Sequence, residues 1–228
     1  MERIKICIVG SGKLANAILT SHVSVQSCEI IAWDSIDITT LEKAIIVHAG
    51  SGRQLQECIE FCERTKSPFI ELSTGLETET MNPQFPLIIC PNTSILLLKT
   101  LNILKVNGKQ FENYSISITE SHQSTKITEP GTAYAIANSL QFPFDKIISI
   151  RDPKIQLNQI GIPKEYLDKH AYHKIVIQDG NDEVTIETKV LGHESYAQGI
   201  KTIIETVLKS QLENKRYSIL DLINISPL

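Results

Sequence analysis

Apolar and polar positions follow two rhythms along this chain. Residues 3–9, RIKICIV, form a nearly unbroken β-rich run of the kind a parallel strand covered on both faces requires. GSGKLANAIL (10–19) then places glycines at a turn and continues with the apolar spacing of a helix. CEIIAW (28–33) predicts a second strand ending at Asp34, and AIIVHAG (44–50) a third. In SGRQLQECIEFCERT (51–65), Leu55, Cys58, Ile59 and Cys62 recur at helical spacing. SPFIELST (67–74) and PLIICPN (86–92) predict two more strands, each ending in small polar residues. Strands alternating with helices up to about residue 92 predict an α/β fold with a Rossmann-like, doubly wound parallel sheet.

The rhythm changes near residue 93. TSILLLKTLNIL (93–104) predicts a helix, YSISITESH (114–122) a half-buried alternating strand, and GTAYAIANSL (131–140) a short helix. KIISIRD (146–152), HKIVIQD (173–179) and EVTIETKVLG (183–192) predict strands, the last two joined by a hairpin turn through Asp179-Gly180-Asn181-Asp182. AQGIKTIIETVLKSQL (197–212) predicts a closing helix. The expected organisation is a dinucleotide-binding domain over residues 1–93, with 194–228 packing back on it. A second α+β domain with a mixed sheet is expected over 94–193.

Composition narrows the partners. With 42% apolar and 21% charged residues in 228, the chain is an ordinary globular one. A net charge of −4 supplies no basic footprint for nucleic acid or an anionic membrane. The apolar runs are too short to span a bilayer and no signal-peptide pattern opens the chain, so a cytoplasmic location is expected. All five cysteines fall in the first 90 residues in apolar contexts, which predicts reduced, buried thiols. Cys58 and Cys62 lack a second ligand pair and read as helix packing; His170 and His173 read as strand residues, so no metal site is expected. Trp33 reads as packing and His22 as surface. The sequons at Asn92 and Asn113 would go unused in the cytoplasm.

The first candidate site is GSGKLA, residues 10–15, which fits G-x-G-x-x-A after a strand and at the opening of a helix. Gly10 allows the tight turn, and Gly12 lets a pyrophosphate approach the backbone. Ala15 keeps the helix close to the sheet, and the helix N-terminus supplies amide donors. Ser11, Lys13 and Leu14 complete the turn. Asp34 stands where an acid takes the ribose hydroxyls, with no cation beside it in sequence for a 2′-phosphate. NADH or NADPH is the expected cofactor, with a lean towards NADH. Lys13 offers an alternative phosphate contact. Three further stretches fall at strand ends, where a ligand of an open sheet lies: His48-Ala49-Gly50-Ser51-Gly52, Ser73-Thr74-Gly75 and Cys90-Pro91-Asn92-Thr93.

The second candidate site is ESHQSTKITEPGTA, residues 120–133. It resembles the signature of the 4-hydroxy-tetrahydrodipicolinate reductase (dihydrodipicolinate reductase) family, Glu-(Ser/Ala)-His-His-x-x-Lys-x-Asp-x-Pro-Ser-Gly-Thr. Glu120, His122, Lys126, Pro130, Gly131 and Thr132 match it. GSGKLA, ELSTGL (71–76), CPNTS (90–94), VLGHESYAQGI (190–200) and RYSILDLINI (216–225) resemble further family segments in the right order. The resemblance implies an NAD(P)H-dependent reductase of lysine and diaminopimelate biosynthesis, acting on a small cyclic imine with two carboxylates. It implies Lys126 as general acid, His122 as its assistant, and Gln123, Gly131 and Thr132 at the substrate. It also implies a homotetramer built through the second sheet and a hinge between the domains.

The chain departs from that pattern in several places. The family's second histidine is Gln123, its aspartate is Thr128, the serine before Gly-Thr is missing, and His193 stands where arginine is common. His170 and His193 are the side chains available to compensate. Only Ser35 to Lys43 separates Asp34 from the third strand, which leaves the adenosine side more open. The departures keep two alternatives in view: a reductase of another imine or carbonyl acid, and a non-catalytic dinucleotide-binding relative.

Overall fold

β1 (Ile4–Val9) is the apolar run expected of a doubly covered strand, and its last four residues are all buried. The computed structural model describes residues 3–20, 25 and 28–225, so the surface position expected for His22 lies outside the described residues. α1 (Lys13–Thr20) follows the glycine turn and buries Ala15 and Ile18. β2 (Cys28–Ala32) is shorter than the sequence suggests: Trp33–Ser35 leave it in a 3-10 turn. β3 (Ala44–His48) is buried throughout. α2 (Leu55–Thr65) starts four residues after the predicted boundary. The cause is the backbone, since Ser51, Gly52 and Gln54 all take positive φ, which no right-handed helix contains. β4 (Phe69–Glu71) and β5 (Leu87–Ile89) complete this half.

The next elements build a second sheet. α3 (Ile95–Asn107) leads into β6 (Ser115–His122), α4 (Gly131–Ser139) and β7 (Ile148–Ile150). A short turn of helix, α5 (Pro153–Ile155), runs into a π-type turn at Gln156–Ile160 that the sequence pattern had not revealed. β8 (His170–Asp179) and β9 (Asp182–Leu191) form the predicted hairpin. The order is β7-β6-β8-β9, with β7 parallel to β6 and the rest antiparallel. This is the mixed sheet expected. Register places Ile116, Ile118, Glu120 and His122 on the face that carries Ile177, Ile175, His173 and Ala171.

α6 (Glu194–Lys209), β10 (Arg216–Ser218) and α7 (Ile219–Ile225) return to the first sheet. β10 pairs with β5 in parallel, Tyr217 opposite Ile88, as a sixth strand beyond the five expected. The full order is β10-β5-β4-β3-β1-β2, all parallel, and the direction of winding reverses between β1 and β3. Two units result, residues 1–95 with 193–228, and residues 96–192. Beneath one sheet face, Cys7, Trp33, Ile46, Cys58, Cys62 and Phe69 share a core, and Trp33 meets Phe61 edge to face at 5.7 Å. The cysteines are free; burial pushes the Cys7 thiol up to about 11 and raises Cys58 and Cys62 further, so they act as apolar packing.

α6 lies so close to the loop after β5 that only glycine fits at position 199. A Cβ there would sit 1.6 Å from the Thr93 carbonyl oxygen, a backbone atom that cannot swing aside. Gly199→Ala is therefore expected to destabilise the protein by about 3 kcal/mol or more, at the upper end for overpacking. A fall in the urea midpoint with unchanged slope would show it.

Candidate active site

At the carboxyl edge of the parallel sheet, Gly10 takes φ +117° with Ala49 pressed against it; a Cβ would lie 2.5 Å from the Ala49 oxygen. Gly12 has nothing within 4 Å of where its Cβ would be, so the backbone of the turn is open on that side. Ser11, Gly12 and Lys13 are exposed, Leu14 is half-buried, and the Asn16 amide holds the turn by donating to the Ser11 carbonyl at 3.1 Å. Asp34 is exposed in the 3-10 turn after β2, and its carboxylate accepts from the Gln54 side chain.

Beneath the same edge, His48 and Glu71, each in a stretch singled out in the sequence, form a pair that the sequence did not announce. His48 and Glu71 end β3 and β4 and are both fully buried. His48 Nδ1 meets Glu71 Oε1 at 2.8 Å, and Nε2 meets the Arg53 carbonyl at 3.0 Å. Glu71 Oε1 also accepts from the Ser73 amide at 2.8 Å, and Oε2 from the Thr78 hydroxyl at 3.4 Å. Ser73 Oγ in turn accepts from the Ser51 amide. The signal was available: a glutamate inside a three-residue apolar strand has to find a partner.

The loops expected to meet a cofactor divide on inspection. Thr74 and Gly75 are exposed, with the Gly75 amide spent on Glu79 Oε1. Pro91 is exposed, and Asn92 Oδ1 accepts from the Ser94 amide. Thr93 is a correction: it is 2% exposed and its hydroxyl donates to the Tyr196 carbonyl, so it fastens α6 rather than facing a ligand.

In the second unit, β6 ends in a charged group built around Glu120, which is wholly buried. Its Oε2 meets His122 Nδ1 at 2.7 Å, and its Oε1 accepts from Arg151 Nη2 at 2.7 Å. Burial works to raise the Glu120 pKa, but hydrogen bonds from His122, Arg151 and Ser149 bring it down to about 2. The anion fixes His122 through Nδ1 and leaves Nε2 with no partner among the described residues. His173 lies edge to face with His122 at 5.7 Å. Burial, then the neighbouring His122, lowers its pKa to about 4, which keeps it neutral.

Lys126 is half-buried in the loop beyond, with Nζ donating to Thr128 Oγ1 at 3.0 Å. Its pKa is lowered by burial and then by the charge of Arg151, with Glu120 opposing. Gln123 opens the turn, its carbonyl accepting from the Lys126 amide. Gly131 and Thr132 do open a helix, but the Gly131 amide is turned back onto the Glu129 carbonyl at 3.0 Å. The Thr132 amide has no partner among the described residues.

The two histidines of HAYH lie on opposite faces of β8, and His170 is buried between Ser121 Oγ and the Tyr166 carbonyl, so it is not free to compensate for lost cations. His193 is exposed at the start of α6, in the first unit. No group of three or more metal-binding side chains occurs among the described residues. Arg151 and Gln156, the latter donating to the His122 carbonyl at 2.7 Å, were missed because their partners lie about thirty residues away in sequence.

These two sheets define an α/β protein with a doubly wound parallel sheet and a second mixed-sheet unit. The family description "Dihydrodipicolinate reductase, C-terminus" matches residues 97–223, more than half of the chain. The chain belongs to the dihydrodipicolinate reductase family. It is 26% identical over 183 residues to 4-hydroxy-tetrahydrodipicolinate reductase 1, chloroplastic, of Arabidopsis thaliana, covering 72% of this chain and 53% of that protein. It is 24% identical over 191 residues to a 4-hydroxy-tetrahydrodipicolinate reductase of Clostridium perfringens, covering 75% and 73%. The chain thus spans about half the length of the plant relatives it matches. A dipicolinate-bound dihydrodipicolinate reductase from Paenisporosarcina sp. TG-14 shares the fold, with TM-score 0.68 and 16% identity over 97% of this chain and 99% of that one. No helix among the described residues is long and apolar enough to cross a membrane.

Proposed function

We propose that the chain is an NAD(P)H-dependent reductase of a cyclic imine dicarboxylate, converting 4-hydroxy-tetrahydrodipicolinate to tetrahydrodipicolinate in lysine and diaminopimelate biosynthesis. The observation that carries this reading is the Lys126, His122, Glu120 and Arg151 group at the head of β6, followed at once by the open end of α4. The names of the relatives support the substrate.

The first unit fits a dinucleotide. The open backbone at Gly12 and the start of α1 suit a pyrophosphate, and Asp34 suits ribose hydroxyls, which favours NADH. A nicotinamide cofactor bound there supplies the hydride. In the second unit the Thr132 amide, at the positive end of α4, receives a substrate carboxylate. Lys126 adds cationic charge and delivers the proton that accompanies the hydride, while the substrate hydroxyl leaves as water together with a proton from the adjacent ring carbon. Its lowered pKa brings it nearer to acid work at neutral pH. His122, held by Glu120, presents Nε2 as a hydrogen-bonding assistant.

We also propose a homotetramer through the second sheet. Ser115, Ser117, Thr185 and Lys189 share one face of it and are exposed, as is Ile148 at 54%. A second reading, a reductase of another imine or carbonyl acid, is favoured by the Gly131 amide being occupied and by Gln123 in place of histidine. NADH and NADPH oxidation by purified protein, with substrate generated in situ from pyruvate and aspartate semialdehyde, tests the two. Turnover is the expected result; dinucleotide binding without turnover would transfer the case to the second reading.

A further inference from the structure

His48 and Glu71 tie together the two loops that rise from the centre of the sheet edge. One ring reaches Arg53 in the first loop, and one carboxylate reaches Ser73 and Thr78 in the second. The Ser51–Ser73 hydrogen bond closes the circuit. Gly50 fits beneath because it has no side chain: a Cβ there would lie 2.8 Å from His48 Nε2 and 2.9 Å from the Arg53 oxygen.

Both ring nitrogens face acceptors, a carboxylate and a carbonyl. A neutral imidazole has one N–H and satisfies one of them; the imidazolium satisfies both. With Glu71 as a carboxylate, the imidazolium form of His48 is the one that meets both acceptors. Burial opposes the charge, but the hydrogen bond and charge of Glu71 and the Arg53 carbonyl outweigh it, so the His48 pKa is raised. The charged and titratable neighbours are Glu71 and Arg53 around the ring, with Cys58 of α2 near Glu71.

The pair also has a defined place on the sheet. Winding reverses between β1 and β3, where an open α/β sheet receives its ligand. Asp34 marks the β2 side of β1, so a dinucleotide crossing the Gly10–Gly12 turn extends its other end over β3 and β4. Those strands end in His48 and Glu71.

We propose that His48 and Glu71 are positioning residues for the nicotinamide end of the cofactor, holding the 50–53 and 73–75 loops in their receiving conformation only while His48 is protonated. The inference rests on the dinucleotide reading above and adds to it a proton-linked cofactor affinity. A raised pKa fixes the sign. Affinity is full below the raised His48 value and is lost as pH rises through it, when one of the two acceptors loses its donor.

The test is fluorescence titration of NADH, and separately NADPH, into wild type, His48→Gln and Glu71→Gln between pH 6 and 9.5, with thermal unfolding of each. Glutamine at 48 can donate to one acceptor and does not titrate. It should bind about tenfold or more weakly at pH 6 and lose the pH dependence over this range. Glu71→Gln removes the charge that holds the proton, so its affinity should fall at lower pH than in wild type. If His48→Gln proves unstable, the wild-type profile and its displacement in Glu71→Gln still decide the matter. Folded variants that bind with the wild-type affinity and profile would overturn the inference while leaving the dinucleotide reading intact. A wild type that binds neither dinucleotide at any pH would remove that reading, and the inference with it.

Discussion

Lys126→Ala is expected to lower kcat/KM by about 10²–10⁴-fold, the usual consequence of losing a positioned general acid. Two losses are combined in that figure. The proton donor goes, which lowers kcat, and a cation beside an anionic substrate goes, which raises KM. Lys126→Arg separates them. Its guanidinium keeps the charge but holds its proton too firmly to act as an acid, so KM should recover while kcat stays low. The fold should not suffer, because the half-exposed ammonium has a single hydrogen bond, to Thr128. Steady-state kinetics of the two variants would settle the assignment. A kcat in Lys126→Arg close to wild type would remove the acid role and leave only a binding one.

Glu120→Ala is expected to cost about 3 kcal/mol of stability, the low end of the range for breaking a buried ion pair. The low end applies because Arg151, with 26% of its side chain exposed, can turn to water when its partner is removed. His122 loses its anchor at the same time, so activity should fall even where the protein remains folded. Linkage gives a second readout in the wild type. The Glu120 pKa is depressed to about 2, so its contribution is present above the ordinary carboxylate value and is lost as pH falls towards about 2. Chemical denaturation at neutral pH and along an acid series would measure both. A stability curve for Glu120→Ala with the same acid dependence as wild type would show that another group controls it.

Elements carried by a run or period of apolar positions were legible, and those without one were not. β1, α2 and the β8–β9 hairpin each carry enough apolar positions for the period to stand out. β10 is three residues long, RYS, and holds its place through partners more than a hundred residues earlier, so no local pattern marks it. The start of α2 was misplaced because positive φ at Ser51 and Gln54 is a tertiary demand that residue type does not declare. The same division runs through the sites. Gly12, Asp34, His122 and Lys126 stand in local motifs. Arg151, Gln156 and the His48–Glu71 pair depend on segments that meet only in the folded sheet, and the trace in sequence is limited to His48 and Glu71 as polar residues ending apolar strands. Thr93 and Gly131 show the reverse: the motif found the residue, but hydrogen bonds formed nearby decided what its atoms are free to do.

The return of β10 to the first sheet has a consequence for biogenesis. Residues 96–192 are a contiguous segment with their own sheet, whereas the first unit waits for Arg216–Ser218 to pair with Leu87–Ile89. On a ribosome releasing the chain from its N-terminus, the segment that starts second is complete first. Until then β5 presents an unpaired edge, the kind of surface on which nascent chains aggregate or recruit chaperones.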